Sequence, residues 1–332
     1  MKKLFFLMMV VVVAVFGAET WEAIVPPNAS FFMFGNEKVV EKNKQNKINE
    51  DKKDKFDKID EFLGIDEENS EHYDALKELL EELDKSPAFK EGNCRTFRLC
   101  DNFEAKKNVA LAVEFKEAIP FDDLKVIPDA KLTITVDKIA GKDALSLETQ
   151  GEKKARFALI MADGGKTMLL TGWDNAAAMA TRIGKAAKYT AEMKNLVGAY
   201  KGDFCVCMAL TPKMKQRLNE KAMGQMSVEP VQAMLLMKLA EMNGILMDST
   251  IMQEGMTIRL GLVSSSTQAA TAVKEQLFDG MVMPMAQNLA DGVAPGKIKT
   301  SSMLKSSVSG KIAFLNISLT KSEIDLFKGV IE

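Results

Sequence analysis

Alternating hydrophobicity from about residue 95 onward most constrains the fold of this chain. Apolar residues alternate with small or polar ones in three segments, at 109–115, 132–136 and 145–147. A period of two is typical of strands, because successive side chains point to opposite faces. Residues 157–161 and 168–170 flank Asp163-Gly164-Gly165, a strong tight-turn signal, and are predicted to pair as a hairpin. The pattern predicts successive antiparallel strands.

Segments with helical spacing precede, interrupt and follow these strands. The predicted helices span residues 71–84, 175–196, 212–223, 230–242 and 267–277 or beyond, with a last one after a capping box at Thr320-Lys321-Ser322-Glu323. Further strands are predicted at residues 30–34, 203–210, 245–252, 256–263 and 311–319. The sequence therefore predicts an α+β fold in which helices pack on one face of antiparallel sheets.

Two segments of the chain share one order of elements. Residues 166–185 and 256–274 each read as a strand after a glycine turn, then a polar cap, then an alanine-rich helix. We predict an N-terminal strand and charged helical segment at 19–95, followed by α+β halves at 96–200 and 201–332. The halves are either a duplication or two units that converged on a common pattern, because their direct identity is slight.

The N-terminus has the three parts of an export signal. Lys2 and Lys3 precede an apolar run from Leu4 to Phe16, and small residues follow at 17–18. The run is shorter than the roughly 20 apolar residues that a spanning helix needs. We expect residues 1–18 to be a signal peptide, cleaved or retained as an anchor, and the protein to be periplasmic or secreted.

The charge balance argues against nucleic acid as a partner. The chain has 44 Lys plus Arg and 46 Asp plus Glu. Removal of Lys2 and Lys3 with the leader gives a net charge of about −4, which provides no basic field for phosphate backbones. We expect no nucleic-acid partner.

Four cysteines are candidates for structural disulfides, since an exported protein matures where disulfides are stable. Cys94 and Cys100 lie close in sequence, and Cys205 and Cys207 point to one face of a predicted strand. A plausible pairing joins the first segment to the second, and other pairings stay open. The alternative is a thiol metal or redox site, which the absence of a Cys-x-x-Cys motif disfavours.

Three catalytic motifs are incomplete. Gly164-Gly165-Lys166-Thr167 has Ile160 where a phosphate loop needs glycine. Ser302-Met303-Leu304-Lys305 lacks the later elements of penicillin-binding proteins and is interpreted as a polar loop before the last strand. His72, the one histidine, is predicted to lie on an exposed helix.

The 22 methionines are the unusual feature of the composition. Met281, Met283 and Met285 stand at alternate positions and could bind Cu(I) through their thioethers. The favoured interpretation is core packing, since Met234, Met237 and Met242 occur at helical spacing among leucines. A third hypothesis is an adaptable apolar groove for a lipid or a partner segment.

Taken together, these patterns favour an exported, soluble, non-enzymatic binding or structural protein without a cofactor. Its partner would be a protein, a lipid or a component of the cell envelope. The alternative functions are an extracytoplasmic hydrolase with dispersed site residues and, less favoured, a Cu(I)-handling protein.

Overall fold

The computed structural model describes most of the chain from residue 93 onward and short stretches before it. These residues are 29–36, 75–76, 78–80, 82–83, 86, 88–89, 93–101, 109–125, 127, 131–150, 155–183, 189–293 and 303–324. They divide after Thr190 into two compact units, here called the N-terminal and C-terminal units. The leader, the charged segment at 37–60, His72 and Ser302 lie outside the described residues.

The described residues of the N-terminal unit form seven strands, and every neighbouring pair is antiparallel. They are β1 (Phe31–Asn36), β2 (Cys94–Asp101), β3 (Ala110–Phe115), β4 (Leu132–Ile139), β5 (Lys142–Thr149), β6 (Arg156–Ala162) and β7 (Thr167–Gly172). Their spatial order is β1-β2-β3-β7-β6-β5-β4. Helix α1 (Ala176–Ala180) follows β7, and residues 75–76, 78–80 and 82–83 are helical, within the predicted helix at 71–84.

Alternation along the central strands produces two buried clusters. Leu145, Leu147 and Leu159 belong to a cluster that includes Leu79 and Leu83 of the helical residues at 75–83. The intervening positions form a second cluster with α1, made of Ala144, Ala158, Ile160 and Leu169. Small alanines in the strands and in α1 allow close packing. The sheet is therefore buried by helical residues from two different parts of the chain.

The predicted hairpin at Asp163-Gly164-Gly165 is confirmed, because β6 and β7 pair across this turn. Asp163, Gly164 and Gly165 have φ values of 53°, 64° and 93°. The Gly165 carbonyl accepts a hydrogen bond of 2.9 Å from the Ile119 amide. A Cβ on residue 165 would overlap the Ile119 carbonyl oxygen, so both the left-handed backbone and the close approach require glycine here.

In the part of the C-terminal unit that the structure describes, there are five strands and several helices. Its elements are α2 (Ala191–Ala199), β8 (Phe204–Ala209), α3 (Pro212–Gln225), α4 (Pro230–Ala240), β9 (Gly244–Met252), β10 (Gly255–Val263), α5 (Thr267–Ala272), a π-helical segment (Val273–Val282), α6 (Met283–Val293), β11 (Leu304–Ser309) and β12 (Ile312–Thr320). The antiparallel strand order is β11-β12-β10-β9-β8. The predicted α+β class is confirmed, whereas the duplication of halves stays a prediction.

One strand was missed by the sequence patterns. Residues 304–309 form β11, which pairs with β12, so the interpretation of residues 302–305 as a loop is wrong for Leu304 and Lys305. β11 is an edge strand whose exposed positions carry serine and lysine, and it therefore lacks a long apolar run. The capping box at its neighbour's end is confirmed: the Glu323 carboxylate accepts from the Thr320 amide at 2.7 Å, and Thr320 Oγ1 accepts from the Glu323 amide at 3.3 Å.

A buried ion pair fixes α2 to the strands of the C-terminal unit. Arg259 on β10 donates to both carboxylate oxygens of Asp248 on β9 and, at 2.7 Å, to the carbonyl of Ala199 at the end of α2. Asp248 also accepts from the Lys201 amide at 2.8 Å. The Phe314 ring lies 4.6 Å from the guanidinium carbon of Arg259. This network holds the chain as it leaves α2 and enters β8.

Candidate binding surface

The predicted disulfides are contradicted by the structure. No two of the four cysteines lie at disulfide-bonding distance, and three of them are buried and Cys94 is half-buried. Cys94 and Cys100 lie near opposite ends of β2, and Cys205 and Cys207 share one buried face of β8, as predicted for that strand. Burial raises the pKa of Cys100 to about 12, although the charges of Arg98 and Arg182 act to lower it. A thiol that stays protonated is a poor nucleophile and a poor metal ligand.

The Cu(I) candidates lie in a helix rather than in an extended segment. Met281 belongs to the π-helical segment, and Met283 and Met285 begin α6. Positions two apart in an α-helix differ by about 200° around its axis, so Met283 and Met285 point to opposite sides. All three side chains are half-buried. The Cu(I) hypothesis stays a prediction, and the helix does not by itself bring the three sulfurs together.

A lysine, a serine and a carboxylate meet beside the π-helical segment. Lys274 Nζ donates to one oxygen of Asp279 at 2.6 Å, and Ser306 Oγ of β11 donates to the other at 2.5 Å. Burial alone would raise the pKa of Asp279, but these two hydrogen bonds hold it below its ordinary value. A carboxylate with a lowered pKa is a weak base for activating a serine. We interpret the cluster as a tether of β11, and the hydrolase alternative stays a prediction.

Helices α3 and α4 form a hairpin that contacts the rest of its unit sparingly. Thr211 caps α3 by accepting from the Met214 amide at 3.3 Å, and Pro212 occupies the first helical position. At the turn, the Gln225 carbonyl accepts from Val228 and Glu229 at 3.1 and 2.8 Å. The two helices contact each other more extensively than either contacts any strand. The hairpin therefore has an inner seam between its helices and an outer surface.

The inner seam consists mainly of leucine and alanine side chains, and most methionines of the hairpin lie outside it. The buried side chains are Met214, Leu218 and Ala222 of α3, and Ala233, Leu236, Leu239 and Ala240 of α4. The core interpretation is thus wrong for Met234 and Met237, although Met242 is buried. Met234 and Met237 lie one turn apart, on the opposite side of α4 from the stripe of leucines at positions 235, 236 and 239.

The outer surface of the hairpin is apolar and exposed. Met223 is 75% exposed, Met226 42%, Val228 78%, Met234 49% and Met237 40%. We call this group the methionine patch. These five are most of the large hydrophobic side chains that are exposed in the part of the chain that the structure describes. Several large apolar side chains exposed on one hairpin are typical of an interaction surface.

Charge is distributed unevenly around the methionine patch. Residues 222–237 contain one charged side chain, Glu229. The preceding part of α3 carries four basic residues, Lys213, Lys215, Arg217 and Lys221, and one acidic residue, Glu220. Lys215 Nζ also donates to Asn243 at 3.0 Å, which connects α3 to the start of β9. The hairpin thus combines an apolar end around its turn with a basic segment in the earlier part of α3.

The sequence patterns did not place an apolar surface on this hairpin, although two signals for it were present. One was the run of sixteen residues with a single charge, and the other was the position of Met234 and Met237 off the leucine face of α4. Among the described residues, no group of three His, Cys, Asp or Glu side chains could hold a metal ion, and no helix is long and apolar enough to cross a membrane.

The fold and the surface define an α+β protein with antiparallel strands and an exposed apolar helical hairpin. No family model matches the chain, and no curated protein matches it. Three crystal forms of TP0453 (I, III and IV) are similar, with TM-scores of 0.43, 0.45 and 0.44 at 7%, 7% and 8% identity. The matches cover 94%, 92% and 93% of this chain and 98%, 96% and 96% of TP0453.

Proposed function

We propose that this is an exported, non-enzymatic binding protein that attaches peripherally to anionic membrane surfaces through the methionine patch. The observation that carries the proposal is the exposure of five apolar side chains on one helical hairpin. Their burial in a lipid interface would remove apolar area from water at about 25 cal/mol per Å². The leader pattern at residues 1–18 supports access to the cell envelope.

A lipid surface suits the chemistry of the patch. Methionine side chains are unbranched and flexible, so they adapt to an irregular or fluid partner. Helices that lie in a membrane interface combine an apolar face with lysine and arginine on the polar part. α3 supplies such residues on the turns before the apolar tip. Each basic residue near an anionic surface contributes about 1 kcal/mol of attraction.

Vesicle sedimentation tests the proposal. The protein is mixed with vesicles of phosphatidylcholine alone or with about one third phosphatidylglycerol, at low and high salt. We expect binding to the anionic vesicles, weakened by salt because exposed charges are screened. Met223→Gln combined with Val228→Gln should weaken that binding at least tenfold, since two apolar contacts become polar.

The matched control is Val136→Thr, which changes a side chain that is 56% exposed on β4 of the N-terminal unit. It should bind like the unmodified protein. Thermal unfolding of each variant shows whether the fold is intact, which we expect because the substituted side chains are exposed. Equal binding by the double variant and the control would rule out the methionine patch as the membrane contact.

A further inference from the structure

We infer that the methionine patch is an oxidation site, at which a peroxide converts exposed thioethers to sulfoxides and so releases the protein from its partner. The release step rests on the proposed function, whereas the oxidation step rests on the structure alone. Four of the five patch residues are methionines, and each is at least 40% exposed. Valine and leucine would provide an apolar surface without this chemistry.

Exposure separates the patch sulfurs from those of the core. Met223 is 75% exposed, whereas Met179 is 5% and Met242 3% exposed. The Met242 sulfur also accepts a hydrogen bond from Ser264 Oγ at 3.6 Å. A small oxidant reaches the patch without any opening of the fold, but it reaches the core sulfurs only when the fold opens. The patch should therefore react first.

Hydrogen peroxide is a sufficient oxidant for converting a methionine thioether to a sulfoxide. The thioether sulfur donates an electron pair to one peroxide oxygen, the sulfur–oxygen bond forms and the oxygen–oxygen bond breaks. The other oxygen leaves as water after proton transfer. The sulfur is oxidised by two electrons and the peroxide is reduced to water. The product is a polar sulfoxide, which reductases can restore to methionine.

The patch methionines lie outside the inner seam, so they can be oxidised and reduced again without unfolding of the hairpin. The inner seam is formed by buried residues such as Leu218, Ala222 and Leu236, and none of the four patch methionines belongs to it. A sulfoxide on the outer surface therefore changes the polarity of the contact and leaves the packing between α3 and α4 unchanged. Oxidation should lower membrane affinity and keep the melting temperature.

Peptide mass mapping during a hydrogen peroxide titration tests the site itself. We expect a gain of one oxygen at Met223, Met226, Met234 and Met237 before any at Met179 or Met242. Oxidation of core and patch methionines at equal rates would overturn the inference. Met252, which is 48% exposed at the end of β9, should also react early and is the internal control for exposure outside the patch.

Binding of two variants to the anionic vesicles tests the release step. The first replaces the four patch methionines with leucine, which keeps apolar area and removes sulfur. It should bind before and after peroxide, whereas the unmodified protein and Met252→Leu should lose at least tenfold in affinity on oxidation. If the leucine variant loses binding equally on oxidation, release does not come from the patch. If no form binds vesicles, the proposed function fails, and the order of oxidation still decides the site.

Discussion

Deprotonation of the buried Cys100 thiol should destabilise the fold at alkaline pH. Burial raises the pKa of Cys100 from 9.0 to about 12 in the native protein, and the thiol returns to an ordinary pKa when the chain unfolds. Below pH 9 both states keep the proton, so its contribution to stability is fully present. Between pH 9 and 12 the unfolded state has lost the proton and the native state keeps it. Stability then falls by about 1.36 kcal/mol per pH unit.

The expected loss from this one group is about 2 kcal/mol at pH 10.5, from a difference of about 1.5 pH units. Other groups also titrate there, so the assay is a comparison of urea unfolding at pH 7.5 and 10.5 for the unmodified protein and Cys100→Ala. The variant should lose about 2 kcal/mol less than the unmodified protein between the two pH values. Ala110→Gly, at the register partner of Cys100, is a control without an ionisable group.

The same pH dependence in Cys100→Ala and in the unmodified protein would refute the reasoning, because the thiol would then not titrate as a buried group. A constant offset between the two proteins at both pH values would report only the cavity that the alanine leaves. Ala110→Gly should show such an offset. The comparison thus separates ionisation from packing.

Three further substitutions test particular contacts by urea unfolding or NMR. Asp248→Ala should cost about 3–5 kcal/mol, because it leaves the charge of Arg259 buried without its partner, and a loss below about 1 kcal/mol would contradict the network. Ser306→Ala should raise the pKa of Asp279, followed by carboxyl NMR. Because the native pKa of Asp279 is lowered, its stabilisation is lost as pH falls through that pKa, and the variant should lose less; an unchanged titration would contradict the tether. Gly165→Ala should destabilise by at least about 1 kcal/mol, since the left-handed backbone and the neighbouring carbonyl oxygen both oppose a side chain, and a neutral result would contradict the turn geometry.

Local patterns predicted the elements of this fold more completely than they predicted its surfaces. Alternation over residues 132–136 and the turn at Asp163-Gly164-Gly165 indicated β4 and the β6–β7 hairpin, because both signals depend on neighbouring residues. The pairing of β3 with β7 joins strands separated by residues 116–166, and no local pattern encodes that. β11 escaped prediction because an edge strand with polar outward positions has little apolar signal.

The methionine patch also depends on tertiary contacts that local sequence patterns do not encode. Helical spacing placed Met234 and Met237 correctly on one stripe of α4, but spacing alone does not say whether a stripe faces the core. The contact of α4 with α3, rather than with a strand, made Leu236 and Ala233 the inner seam. The disulfide prediction failed for a related reason, because a shared strand face indicates the direction of a thiol and not its distance to a partner thiol.

Separate residues provide stability and exposure in the methionine hairpin, and this separation makes its function testable. Ala222 and Ala233 are fully buried in the helix pair, so their enlargement should disturb folding by overpacking. Met223 and Val228 are more than 70% exposed, so polar replacements there should leave folding nearly unchanged. A hairpin whose only role was to cover the sheet would instead place its largest apolar side chains inward. Selective loss of vesicle binding with an unchanged melting temperature would therefore distinguish a contact surface from a structural one.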